Sequence, residues 1–313
     1  MTNSPRLNAS ETMEYSVSHR ILNSVVFGIL CILVIGGNTL CLVVLKQYHR
    51  HLKTPTRLFL TSLTSADLLI GLLYIFPMFI VYSFDDAIPW NVSSNICFGA
   101  RIAISFSGFL SMMSLLSVNL DRYLAIEYPL KCETIVTARR ARIVLACMWA
   151  IGLIVSSGAY YVTIKTNVPE KCNTFYDSHT NSIVEFALGT FIGTIAPFTS
   201  TILIYARILV IANRHRKMEK YGRIASNVSS SRNRFADRKA LNTFLLVTFI
   251  SCSTLMPSSV FTMCNLIYNG SLSNSVIEFL LQAIVLCNYW VNILIYTCRD
   301  RSFRKGAIKL LSR

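Results

Sequence analysis

Asp67 sits near the centre of the apolar run Leu60-Thr61-Ser62-Leu63-Thr64-Ser65-Ala66-Asp67-Leu68-Leu69-Ile70, with no basic residue in that run to neutralise it. A charged side chain at such a place in a bilayer costs roughly 3 kcal/mol unless it is paired or lines a cavity, so its partners must come from other segments. Asn38, Ser111, Asn288 and Asn292 are polar residues within otherwise apolar stretches. Together they could solvate a carboxylate or a small cation such as sodium. Equally, the asparagines and the serine could only bond helix to helix, at about 1 kcal/mol each. Catalysis is not indicated. No Ser/His/Asp, Cys/His or metal-ligand cluster occurs at helical spacing in the apolar runs, and His19, His49, His51, His179 and His215 all lie outside them.

The elements that must position these residues follow from composition. Of 313 residues, 53% are hydrophobic and only 14% charged, which is not how a water-soluble surface is built. Apolar stretches long enough to cross about 30 Å of hydrocarbon recur along the chain. They run approximately over Ile21–Lys46, Arg57–Tyr82, Cys97–Ile126, Arg139–Val162, Ser182–Ala212, Arg238–Leu266 and Asn274–Cys298. Continuous apolar runs without period-two alternation predict helices rather than strands, because lipid tolerates no unpaired backbone groups. The expected fold is an all-α membrane protein, a bundle of seven transmembrane helices. Pro77, Pro197 and Pro257 lie inside spans two, five and six and should kink them.

Charge sets the orientation. Of the 30 lysines and arginines, Arg6, Arg20, Arg101, Lys165 and Lys171 fall on one side and the rest on the other. Positive residues stay cytoplasmic, so the amino terminus is expected outside and the carboxy terminus inside, in the plasma membrane. The basic runs Lys46 to Arg57, Arg139-Arg140-Ala141-Arg142 and Arg214 to Arg223 abut spans, which suits topology and anionic lipid rather than nucleic acid. They also ring the surface that a cytosolic partner would meet. Residues 1–20 are expected to form an extracellular terminus without a cleavable signal, 21–298 the membrane domain, and 299–313 a cytoplasmic amphipathic helix and short tail. The third cytoplasmic connection, about Asn213–Asp237, is the longest, and Asn227–Ser231 within it is expected to be mobile.

Most of the ten cysteines lie in apolar spans, where a thiol is a small core residue. Cys97 and Cys172 lie at the outer, oxidising face and are the natural disulfide pair. Asn8, in Asn8-Ala9-Ser10, is the plausible glycosylation acceptor; Asn91 and Asn269 sit close to the membrane, and Asn227 falls on the cytoplasmic side.

In order along the chain, Gly37-Asn38, Leu63 with Ala66-Asp67, Cys97 followed by Asp121-Arg122-Tyr123, Trp149, Pro197 with Tyr205, Pro257, and Asn292-Ile293-Leu294-Ile295-Tyr296 resemble the helix motifs of rhodopsin-like G-protein-coupled receptors, over nearly the whole chain. The tail, with Phe303, Ile308, Leu310 and Leu311 against Arg301, Arg304, Lys305 and Lys309, is similar to the family's amphipathic eighth helix. The resemblance implies that a ligand binds within the bundle and that helix six then swings outward to admit a heterotrimeric G protein. Arg122 is implied to pair at rest with Asp121 and with Asp237, twenty residues before Pro257. Tyr205 and Tyr296, with Asn292, resemble the residues that stabilise the open state.

The pattern departs from the family in two places. Leu255 stands where a tryptophan is common two residues before the helix-six proline, and Ile293 replaces the proline of the helix-seven signature. Ile104 occupies the position of the aspartate by which amine receptors hold an ammonium, and Asn274 to Cys298 contains no lysine for retinal. Family position implies a pocket lined by Ile104, Ser105, Gly108, Thr190, Ser258, Ser259, Thr262 and Gln282. That lining suits a non-amine small molecule, while Asp85, Asp86, Asp177, Glu185 and Glu278 around the rim suit a short basic peptide. The competing readings are a receptor-shaped protein without its own ligand, and an ion or proton transporter built on Asp67. The second would not need Asp121-Arg122-Tyr123, and no repeated halves are visible.

Overall fold

The computed structural model describes residues 9–47, 53–84, 87–128, 130–166, 195–220, 228–268, 272, 274–299 and 301–312. Helix α1 runs through Ala9–Cys31, a π turn at Ile32–Gly36, and Gly37–Gln47. Helix α2 runs likewise through Thr54–Ile70, a π turn at Gly71–Ile75, and Phe76–Ser83. Then follow α3 (Trp90–Glu127), a single helical turn (Cys132–Ile135), α4 (Ala138–Thr166), α5 (Ala196–Lys220), α6 (Val228–Ile267), α7 (Ser275–Arg299) and α8 (Arg301–Leu311). Among the described residues six helices are long and apolar enough to cross a membrane, and Ala196–Ile211 of α5 adds a shorter apolar one. The chain is an all-helical seven-span bundle with an eighth, amphipathic helix.

Two expected connections are partly helix. The amino-terminal segment is helical from Ala9, and the connection between the fifth and sixth spans narrows because α5 continues to Lys220 and α6 starts at Val228. Val228–Ser231 is therefore helical rather than loop, since arginine- and alanine-rich sequence carries a span's hydrogen-bond ladder onward at little cost. Pro77 follows directly on the π turn of α2, whose widened ladder absorbs the donor that proline lacks. Pro257 lies inside α6, and Pro197 is the second residue of α5.

Helix α3 is the hub and packs against α2, α4, α5 and α6, while α1 meets α2, α7 and α8. Two apolar cores result. The first joins Val34, Ile70, Tyr74, Ala100, Leu286 and Tyr289. The second joins Val44, Leu63, Leu115, Val118, Val247, Ile295 and Phe303. Along α1, α2, α3 and α7 the residues between the two cores are Asn38, Asp67, Ser111 and Asn292, all buried. Phe303 and Ala307 fix α8 into the second core, while Ile308 faces away from it and is exposed with Arg304, Lys305 and Lys309.

Backbones approach closely where α1 meets its neighbours. A Cβ on Gly71 would lie 2.8 Å from Ile35 Cγ1, so glycine lets the two π turns nest. A Cβ on Gly37 would lie 2.6 Å from Cδ1 of Ile293, the residue that replaces the helix-seven proline. Overpacking costs about 1–3 kcal/mol, against about 1 kcal/mol gained by alanine over glycine within a helix. Gly37→Ala should therefore lower the thermal midpoint of the detergent-solubilised protein. In an Ile293→Val background, which deletes the Cδ1 atom, the same change should be neutral or stabilising. Equal losses in both backgrounds would reject this packing.

Candidate functional site

In the polar layer, Ser111 Oγ on α3 donates to Asp67 Oδ1 at 2.7 Å, and Asn292 Nδ2 on α7 donates to Asp67 Oδ2 at 2.9 Å. Both carboxylate oxygens are thus solvated by protein, and Asp67 is fully buried. Asn38 does not join them. Its amide donates to two backbone carbonyls, Val34 O at 2.9 Å and Tyr289 O at 3.0 Å, and so pins α1 to α7. The helix-bonding reading describes Asn38, and the carboxylate-solvating reading describes Ser111 and Asn292. Among the described residues, Asn288 Oδ1 and Ser107 Oγ are buried near this layer without a hydrogen-bond partner. Each stands one helical turn from a residue that binds Asp67, Asn288 before Asn292 and Ser107 before Ser111.

At the carboxy-terminal end of α3, Arg122 Nη2 donates to Asp121 Oδ2 at 3.0 Å. Thr56, at the start of α2, closes a triangle: its hydroxyl donates to Asp121 Oδ2 at 2.6 Å and accepts from Arg122 Nη2. A hydroxyl can do both at once. Lys53 and Glu133 form a second link, 3.0 Å long, between the same end of α2 and the helical turn after α3. Both side chains are mostly exposed, so that link contributes little. Beneath it, burial and then the Asp121 charge push the Cys132 thiol above its ordinary value, which leaves it a protonated, inert residue. Beyond it Leu130 is 95% exposed, a large apolar side chain on the turn next to the triangle.

One turn back along α3, Asn119 reaches two further helices. Its Nδ2 donates to Thr248 Oγ1 of α6 at 2.9 Å, and its Oδ1 accepts from the Tyr205 hydroxyl of α5 at 3.3 Å. All three residues are buried. Tyr123 packs beside Tyr205 and Ile208. Nothing in residue type or spacing singles out Thr56, Asn119 or Thr248, because a lone polar residue in a span looks the same whether it bonds its own backbone or a neighbouring helix. The side chains of Asp237 and Tyr296 lie outside the described residues, although both positions are helical.

Toward the other end, Ile104 packs with Ile70, Tyr74, Leu286 and Tyr289. A Cβ on Gly108 would lie 3.4 Å from the Tyr289 hydroxyl. Gln282 Nε2 donates to the Tyr74 hydroxyl, and Thr262 Oγ1 donates to Ser258 O at 2.9 Å. Ser258 and Thr262 are buried, Ser259 is half-buried, and Ser105 is exposed. Glu278, placed on the rim by sequence, is instead buried. Leu255 packs against the same cluster as Ile104. Cys97 is disulfide-bonded. Its expected partner Cys172 lies outside the described residues, as do Thr190, Asn8 and the acids Asp85, Asp86, Asp177 and Glu185.

The family described as "7 transmembrane receptor (rhodopsin family)" matches residues 37–295. Over 311 residues the chain is 26% identical to galanin receptor 2b of Danio rerio, covering 97% of this chain and 78% of the relative. With galanin receptor 2a of the same fish the identity is 26% over 312 residues, covering 97% and 83%. With the alpha-1A adrenergic receptor of Bos taurus it is 28% over 214 residues, covering 66% of this chain and 43% of the relative.

The three-helix contact at Asn119 is open to a double-variant cycle. Asn119→Leu and Thr248→Val should each lower the thermal midpoint, and the double variant should lose little more than the worse single one, because both delete the same bond. Tyr205→Phe should cost less, its bond being the longer. Strictly additive losses from Asn119→Leu and Thr248→Val would count against the contact.

Proposed function

The chain belongs to the rhodopsin family of seven-transmembrane receptors, and on that premise we propose that it binds an extracellular ligand among the outer halves of its helices and activates heterotrimeric G proteins by outward movement of α6. It is a multi-pass membrane receptor and not an enzyme. The proposed site is the plasma membrane, with the amino terminus outside and α8 against the inner leaflet. The observation that carries the coupling proposal is the pair of polar contacts at one end of α3: Arg122 held by Asp121 and Thr56, and Asn119 holding Thr248 of α6. Outward movement of α6 breaks the Asn119–Thr248 bond and uncovers Arg122 to a partner. A ligand shifts that equilibrium only by binding the open state more tightly than the closed one.

Leu130 is the proposed anchor for the partner. A nearly fully exposed apolar side chain beside the Arg122 triangle gains most when a protein pocket covers it. On the ligand side, Ile104 offers no charge to an ammonium, so a non-amine small molecule or a short peptide is proposed. Likeness to the galanin receptors over nearly the whole chain, against two thirds for the adrenergic one, supports the peptide.

Sodium is the ion that the polar layer fits. Asp67, Ser111 and the unpartnered oxygens of Asn288 and Ser107 are hard donors around one buried negative charge. Bound there, sodium would neutralise the carboxylate; Asn292 holds the other carboxylate oxygen and ties α7 to the layer.

A panel of G-protein activation reporters tests the proposal. Receptor-dependent activation should disappear in Arg122→Ala and fall at least about tenfold in Leu130→Asp at equal surface expression, a loss of roughly 1.4 kcal/mol of partner binding. Asp237→Ala should raise it. Silence of the wild type across the panel, and with ligand pools, at normal surface expression would favour a receptor-shaped protein that acts without its own ligand. The thermal midpoint of the purified wild type should rise when sodium replaces choline at constant ionic strength, and Asp67→Asn should abolish the difference. A sodium effect that survives that substitution would remove the ion from this layer.

A further inference from the structure

Arg101 lies one turn before Ile104 and two turns before Gly108, on the stripe of α3 that faces α2 and α7. The direction of the stripe is fixed by its other members, since Ile104 packs with Tyr74 and Tyr289, and Gly108 abuts the Tyr289 hydroxyl. Arg101 is half-buried, and its charge acts on the Tyr74 hydroxyl. Among the described residues no acid pairs with its guanidinium and no acceptor bonds it. Glu278, the buried carboxylate of α7, is already engaged elsewhere. Among the described residues the Tyr289 hydroxyl makes no hydrogen bond, so its proton is available, and Gln282 Nε2 is spent on Tyr74. A permanently charged fork of donors with no acceptor, at the head of a partly apolar cleft, is complementary to a planar anion.

We propose that the ligand carries a carboxylate that pairs with Arg101, with Tyr289 able to donate to a polar group held deeper against α7. The inference rests on the receptor reading above and narrows its ligand class to acids. It replaces the expectation of an uncharged pocket for neutral or basic ligands, which came from the small residues on α6 and from acids assigned to the rim. A carboxylate of this kind can come from a fatty acid or from the free carboxy terminus of a peptide.

The probes are sodium oleate against oleyl alcohol, and a pool of free-acid pentapeptides against the same pool amidated. Each is added to the purified protein in nanodiscs of uncharged phosphatidylcholine, and the thermal midpoint is read. At least one free acid should raise the wild-type midpoint by about 3 °C more than its uncharged counterpart. That excess should vanish in Arg101→Gln and survive in part in Arg101→Lys. Arg101→Met, which keeps the apolar stem, takes the place of Arg101→Gln if the latter does not fold. The arm that responds identifies the source of the carboxylate. The proposal is overturned if no free acid exceeds its uncharged counterpart, or if the excess persists without a cation at position 101. Receptor-dependent G-protein activation by the wild type, read in parallel, reports on the receptor reading separately.

Discussion

A single carboxylate placed in hydrocarbon organises this molecule. Asp67 has no charged partner on its own helix, and the bilayer offers no water, so protein groups must solvate it. Ser111 and Asn292 do so from two different helices, which fixes the rotation of α3 and α7 relative to α2. A turn of a few tens of degrees in either helix would carry its donor off the carboxylate and bring an apolar neighbour onto it. The two apolar cores on either side are then separated by a thin polar stratum in which Asn38 also stands. Side chains alone would let these helices slide against one another, since lipid is as apolar as leucine.

From that stratum the polar links continue along α3. Ser114 bonds Ser62, which accepts from Trp149 at 3.1 Å; Asn119 bonds Thr248; Asp121 and Arg122 bond Thr56. They join α3 to α2 twice and to α6 once, with Trp149 tying α4 to the same serine of α2, and each is worth only about 0.6 kcal/mol on average within a membrane. Small, separate increments suit a device that must exchange one set of contacts for another. A single deep interaction would hold one state too firmly, whereas several shallow ones can be biased by the binding of a ligand or a partner.

Much of this was legible in the sequence. The spans and the isolation of Asp67 follow from hydropathy and charge, because a bilayer penalises errors in those features heavily. The pairing of Arg122 with Asp121 followed from adjacency and resemblance. Asn38 was harder, since an asparagine among apolar residues carries no mark to say whether its amide goes to a carboxylate or to a carbonyl. Thr56, Asn119 and Thr248 were invisible for the related reason that what matters is the facing helix, which sequence spacing does not contain. Glu278 was misplaced on the rim because burial at a helix end depends on what packs over it. Arg101 was counted only toward topology, where a lone cation on the outer side is one residue among several.

The seating of α8 bears on how the chain is made. Phe303 and Ala307 lie in the same core as Val44 of α1 and Ile295 of α7. Residues far apart in synthesis therefore share one cluster, and the half of the bundle nearest the Arg122 triangle stays unfinished until α8 has left the ribosome. The other half, built around Tyr74 and Tyr289, needs nothing beyond α7. During biogenesis the half around Tyr74 and Tyr289 can consolidate first, while the half that holds Arg122, Asn119 and Thr248 is still incomplete.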